Sequence, residues 1–352
     1  MIKSKLILLV LIISFQLNAQ NLNSEADLIM SEMFEKNGSG GVALIVKEGN
    51  ILYRKAFGMA DLELGVKMTP ENISRIGSIT KQFTAVAILK LMEENKLDLQ
   101  DDITKYIKDY PTQGHLITIE HLLTHTSGIK DITRMKTWTI DLMKKRFTPK
   151  EKINFFKNEP MNFTPGEKYK YSNSGYILLG YIIETISGKK YSEYIEDNLF
   201  KPLGMTNSFY GSTSSIIPNR AKGYQKQEGY YKNANYLDMS NPYAAGSLLS
   251  TVDDLHIWNQ ALFSYKVLSK STLDKAHSPY KLKNGTYTEY GYGWNINNKG
   301  TKVISHGGSV SGYRTFSLYL PQKDLFVAIF SNCTCKRPRK IVAKLTRLAV
   351  NH

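Results

Sequence analysis

The stretch GVALIVKEGNILYRKAFG, residues 41–58, reads as two strands around a turn at Glu48-Gly49-Asn50. Two strands alone are at best marginally stable in water, and nothing nearby in the chain can complete a sheet. The next strand-like runs come only from about residue 290: YGYGWNI, TKVISH, YRTFSLYL and LFVAIFS, with turns at 297–300 and 321–324. Between them the pattern is helical. Phe83, Val86, Ala87 and Leu91 recur at helical spacing within 79–95. SNSGYILLGYIIETISG offers Asn173 or Ser174 as a cap and Gly188 as a stop. Residues 24–36 and about 338–350 also read as helices. The economical fold is α+β. The early hairpin joins the late strands in one antiparallel sheet flanked by the terminal helices, and the middle forms an inserted all-helical lobe. The sheet lobe then takes about 22–75 plus 240–350 and the helical lobe about 76–239, with a cleft between lobes where sites are often found.

The chain opens MIKSKLILLVLIISFQLNAQN. Lys3 and Lys5 precede an apolar run, Leu6 to Phe15, and small Ala19 follows. The run is well short of the ~20 residues that span a bilayer, so it reads as a signal peptide, residues 1–19, and the protein as exported, periplasmic or extracellular. No cysteine near the cut offers a lipid anchor. The net charge of +15 becomes +13 once Lys3 and Lys5 are removed. The basic residues are scattered, which favours a solvated surface over a nucleic-acid partner. Cys333 and Cys335, the only cysteines, would point the same way on a strand, a poor geometry for bonding each other.

RIGSITKQFTAV, residues 75–86, puts Ser78 and Lys81 three apart at a helix start, so the two side chains share a face. A serine hydroxyl needs a nearby base and donors aimed at a developing oxyanion. A lysine made less basic by desolvation can be that base. Further on, FTPGEKYKYSNSGYILLG places Tyr171 and Asn173 just ahead of a helix, and ISHGGSVSGYRTF sets His306, Gly307, Gly308 and Ser309 at a strand end. His121 and His125 are four apart, a spacing that can bind zinc, but Glu120 precedes the first histidine, so H-E-x-x-H is absent. No G-x-S-x-G is present.

In this order the pieces resemble the serine β-lactamase and penicillin-recognising superfamily, most of all its class C β-lactamase-like, S12-peptidase-like branch. Ser78-Ile79-Thr80-Lys81 matches S-x-x-K, Tyr171-Ser172-Asn173 matches Y-x-N, and His306-Gly307-Gly308 stands where the family has K-T-G or H-x-G. LLTHTSGI, PLGM, AAGSLLSTVDDL and YGYGW also look like family stretches. The resemblance implies the β-lactamase/transpeptidase-like fold and a serine hydrolase that needs no cofactor or metal. Ser78 would be the acylated nucleophile, and Lys81 and Tyr171 the base network, with either as the proton acceptor. Asn173, His306, Gly307, Gly308 and Ser309 would meet the substrate, and the backbone N–H groups of Ser78 and Ser309 would form the oxyanion hole. LLTHTSG, which contains His125, would be structural. The substrate expected is a D-amino-acid peptide, of the D-alanyl carboxypeptidase or D-aminopeptidase type and derived from peptidoglycan, or a small ester. A class C-like β-lactamase and a penicillin-binding sensor with little turnover are the alternatives. The departure from K-T-G removes two groups that would grip a substrate carboxylate. If His306 contacts the substrate, its charging at lower pH should restore part of that grip.

Overall fold

The computed structural model describes residues 22–352, so the signal-peptide reading lies outside the described residues. The expected sheet forms. Its strands are β1 (Gly41–Lys47), β2 (Asn50–Phe57), β6 (Asn295–Asn297), β7 (Val303–Val310), β8 (Tyr313–Leu320) and β9 (Leu325–Ser331), in the order β6-β7-β8-β9-β1-β2. Every pairing is antiparallel. A smaller sheet sets β3 (Ser74–Arg75) and β4 (Phe209–Tyr210) on either side of β5 (Leu248–Ser250).

Alternation along the strands explains why β1 and β9 are apolar throughout. Side chains two apart share a face. Val42, Leu44, Val46, Ala328 and Phe330 face the larger core, which extends through the helical lobe. Ala43, Ile45, Val327 and Ile329 face a second core built with the terminal helices α1 (residues 22–31) and α7 (Pro338–Asn351) through Ala26, Met30, Ile341 and Leu345.

At the centre of the larger core runs α2 (Thr80–Glu93), whose residues from Thr80 to Leu89 are all buried. Such a helix needs no polar face. It packs against α5 (Asn173–Ser187), which ends at Gly188 with φ 67°. The other helices used below are α3 (Ile119–Leu123), α4 (Pro149–Phe156) and α6 (Val252–Phe263).

Three expectations need correction. The middle lobe is not all helical, because Tyr224–Gln227 and Tyr230–Asn233 form a hairpin. Its two turn residues, Glu228 and Gly229, have φ of 52° and 85°, the tight turn that suits a strand pair. YGYGWNI gives only the short β6. Just ahead of it, the N–H of Tyr292 bonds the Ala276 carbonyl and that of Gly291 bonds Trp294, so this backbone serves a loop and not the sheet. Finally, Cys333 and Cys335 are bonded to each other, with Cα atoms 5.1 Å apart. They lie beyond the end of β9, Cys333 at an isolated bridge to Tyr224 and Cys335 in the turn that follows, so strand alternation does not carry from one to the other.

Candidate active site

Ser78 sits in a single 3-10 turn, Gly77–Ile79, that runs directly into α2. The opening of such a helical unit leaves N–H groups unpaired and its positive dipole end exposed. Lys81 lies on the same face, fully buried. Its Nζ is 3.2 Å from Ser78 Oγ, 2.9 Å from Asn173 Oδ1 and 2.8 Å from the Ala245 carbonyl oxygen. It also lies 4.8 Å from the centre of the Tyr171 ring. Burial pushes the Lys81 pKa down to about 7, against the opposing pull of the Asp131 carboxylate. The Asn173 and Ala245 oxygens can only accept hydrogen bonds. A neutral Lys81 therefore donates to both and turns its lone pair towards Ser78.

Tyr171 and Asn173 are held by partners that the sequence did not single out. The N–H of Ser172 donates to His125 Nδ1 at 3.2 Å. The N–H and Nδ2 of Asn173, at the start of α5, donate to the Asp131 carboxylate at 3.2–3.4 Å. This orientation of the amide aims its oxygen at Lys81. Burial raises the Tyr171 phenol well above its ordinary range, against the opposing pull of the neighbouring Ser78 hydroxyl, so Tyr171 keeps its proton near neutral pH.

The third piece arrives by close backbone packing. A Cβ on Gly308 would stand 1.9 Å from the Ile76 carbonyl oxygen, and one on Gly77 would stand 2.8 Å from the Ser309 nitrogen. Only glycine lets β7 lie this close to the Ser78 turn. A two-residue loop, Ser311-Gly312, joins Val310 to Tyr313 as the closing pair of the β7–β8 hairpin. Hydrogen-bonded and non-bonded pairs alternate from there. Ser309 therefore falls in a non-bonded pair, and its N–H points away from β8, towards the edge that faces Ser78.

His306 and Gly307 do not line the cleft. His306 is buried. Its Nδ1 is 2.7 Å from the Gly307 carbonyl oxygen, which can only accept, so Nδ1 carries the proton and Nε2 accepts from the Tyr290 hydroxyl at 2.9 Å. Burial, then the Lys81 charge, lowers its pKa to about 3. The expectation that His306 meets the substrate and charges at mildly acid pH is therefore corrected. It is a neutral support behind Tyr171, with ring centroids 6.3 Å apart. A Cβ on Gly307 would lie 3.1 Å from the Phe316 ring on β8. His121 is likewise spent on local structure, its Nδ1 accepting from the Thr118 N–H in a capping box that opens α3.

Asp131, Ala245 and Tyr290 were missed as site residues. Asp131 carried no motif. Ala245 and Tyr290 lie within AAGSLLSTVDDL and YGYGW, stretches singled out for their likeness to the family without a role for these two residues.

Ser78, Tyr171, Asn173 and Ser309 open onto a cleft of about 440 Å³. Its other walls include Trp138, Met143, Ile177, Leu237 and Val310, and among the described residues no lysine, arginine, histidine or carboxylate lines it. A protein-family model, Beta-lactamase, matches residues 26–351. The chain belongs to the Beta-lactamase family. It is a serine hydrolase of the β-lactamase/transpeptidase-like fold, related to penicillin-binding proteins. Among its relatives, penicillin-binding protein 4* of Bacillus subtilis is 31% identical over 85% of this chain and 69% of its own length. Protein flp of Staphylococcus aureus is 29% identical over 93% of this chain and 66% of its own length. An octameric penicillin-binding protein homologue from Pyrococcus abyssi superposes with a TM-score of 0.79 at 34% identity, covering 94% of this chain and 76% of that one. A D-amino acid amidase from Ochrobactrum anthropi SV3 shares the fold, with a TM-score of 0.79 at 22% identity, covering 93% and 99%.

Proposed function

We propose that this family member hydrolyses D-amino-acid peptides or small esters through a covalent ester on Ser78. The observation that carries the reading is the fully buried Lys81, whose Nζ lies 3.2 Å from Ser78 Oγ and, when neutral, turns its lone pair there. Lys81 takes the Ser78 proton as Oγ attacks the substrate carbonyl. The N–H groups of Ser78 and Ser309 hold the oxyanion. Collapse expels the amine or alcohol, which receives a proton from Lys81, with the Tyr171 hydroxyl beside the same oxygen. Water then repeats the cycle on the acyl-enzyme. Asn173 keeps Lys81 in place and borders the substrate.

The uncharged, largely apolar cleft supports an acyl group without a carboxylate beside the attacked carbonyl, and so favours an N-acylated D-aminoacyl group or a simple ester over a β-lactam. The test is a panel of D- and L-aminoacyl p-nitroanilides, p-nitrophenyl esters and nitrocefin. The reading expects turnover of D-aminoacyl substrates or simple esters to exceed nitrocefin turnover. Dominant nitrocefin turnover would mark a β-lactamase, and one stable acylation without turnover would mark a sensor. Work outside the cytoplasm belongs to the same proposal, supported by the short apolar run behind Lys3 and Lys5 and by the bonded cysteines. Intact mass should show loss of about the first 19 residues; a mature chain of full mass would refute it.

A further inference from the structure

A second recess of about 290 Å³ adjoins the catalytic cleft and shares Asn235, Tyr236, Leu237 and Ser311 as a common wall. Arg75, Arg220 and Lys222 line it, and no carboxylate does among the described residues. Lys222 is neutralised by Glu63. Among the described residues, neither Arg75 nor Arg220 has a carboxylate partner. Arg220 is exposed and gives one N–H to the Ser212 carbonyl oxygen at 3.2 Å. Arg75 is half-buried, with its guanidinium 5.6 Å from the centre of the Tyr313 ring. Its Nε is buried without a hydrogen-bond partner. Burial disfavours its charge, and Arg220 is close enough to repel it further. Two guanidinium groups crowded together without a counter-ion are costly, and a planar anion that accepts paired hydrogen bonds relieves that cost. The shared wall sets the recess beside the cleft, so one molecule can reach both.

We infer that Arg75 and Arg220 form a carboxylate-binding subsite for a part of the substrate that extends past Ser309–Ser311, away from the reacting carbonyl. The inference rests on the hydrolase reading above and deepens it. The apolar cleft takes the uncharged acyl group, and the arginine recess takes an acidic group further along. The substrate is then an acidic D-amino-acid peptide and not a simple ester.

Two substrate pairs test it: N-succinyl against N-acetyl-D-alanyl p-nitroanilide, and D-phenylalanyl-D-glutamic acid amide against D-phenylalanyl-D-glutamine amide. In one pair at least, the acidic member should show a KM about tenfold lower. Arg220→Gln, at an exposed position, and Arg75→Gln should each remove that advantage and leave kcat for the neutral member unchanged. Separately, glutarate and inorganic phosphate are titrated by calorimetry into the Ser78→Ala protein, which needs no turnover. Glutarate should bind, more tightly than phosphate, and lose about tenfold in affinity in either arginine variant. Arginine-dependent glutarate binding without any hydrolysis would sustain the subsite and sink the hydrolase reading. Hydrolysis with no acidic preference in either pair, or a preference that survives both substitutions, would overturn the subsite. Phosphate binding more tightly than glutarate would overturn its assignment to carboxylates.

Discussion

Lys81 has no exposed surface and three oxygen neighbours, and both facts bear on how it handles a proton. With a pKa of about 7 it is half neutral near physiological pH. Only the neutral amine can accept the Ser78 proton. Thus kcat/KM should fall about tenfold per pH unit below pH 7 and level off above it. Lys81→Ala should cost at least ~100-fold and flatten that limb. The Asp131 charge raises the Lys81 pKa, so Asp131→Asn should move the acid limb to lower pH, a shift readable in the same profile. A limb that stays in place would mean that Lys81 does not set it. The neutral His306 adds no step between pH 5 and 8, because its pKa is held at about 3. Ser78, Lys81 and Tyr171 were legible because their residue types and spacing carry the chemistry. Asp131 was not. Its role comes from folding against the start of α5, 42 positions away in the chain.

At the scale of elements, the site depends on where β7 meets the turn before α2. Gly308→Ala puts a methyl 1.9 Å from the Ile76 carbonyl oxygen, so the strand must move outward. The Ser309 N–H moves with it. The expected result is a loss of about 100-fold in kcat, the scale of a lost oxyanion donor, with a stability cost of about 1–3 kcal/mol. Unchanged kcat in a folded variant would show that β7 does not supply that donor. The strands themselves were readable from alternation and turns. The backbone contact that makes Gly308 necessary was not, since nothing in HGG names its neighbour. The Tyr224–Asn233 hairpin carried a signal in Glu228-Gly229, but its strands are short and mostly exposed and so lack the apolar alternation that marks a strand.

For the whole molecule, the sheet joins two cores, and the catalytic turn lies against only one of them. Ile329 is fully buried on the far face, among the terminal helices. Ile329→Ala should lower stability by about 2–5 kcal/mol, measured by urea unfolding, and leave kcat/KM of the folded fraction nearly unchanged. A large drop in kcat/KM without loss of stability would mean that the two faces are coupled. The order of strands, helices and strands made this architecture legible, because a lone hairpin at residues 41–58 had to find partners far along the chain. The Cys333–Cys335 bond was not legible, because it depends on β9 ending at Ser331.

The most direct measurement is intact-protein mass spectrometry after brief mixing with an activated D-aminoacyl ester. One acyl group should add to the native chain, map to the peptide containing Ser78, and fail to form in Ser78→Ala. It should form at least ~100-fold more slowly in Lys81→Ala. Acylation of Ser78→Ala at the native rate, or a modified peptide that lacks residue 78, would contradict the assignment of Ser78 as the nucleophile.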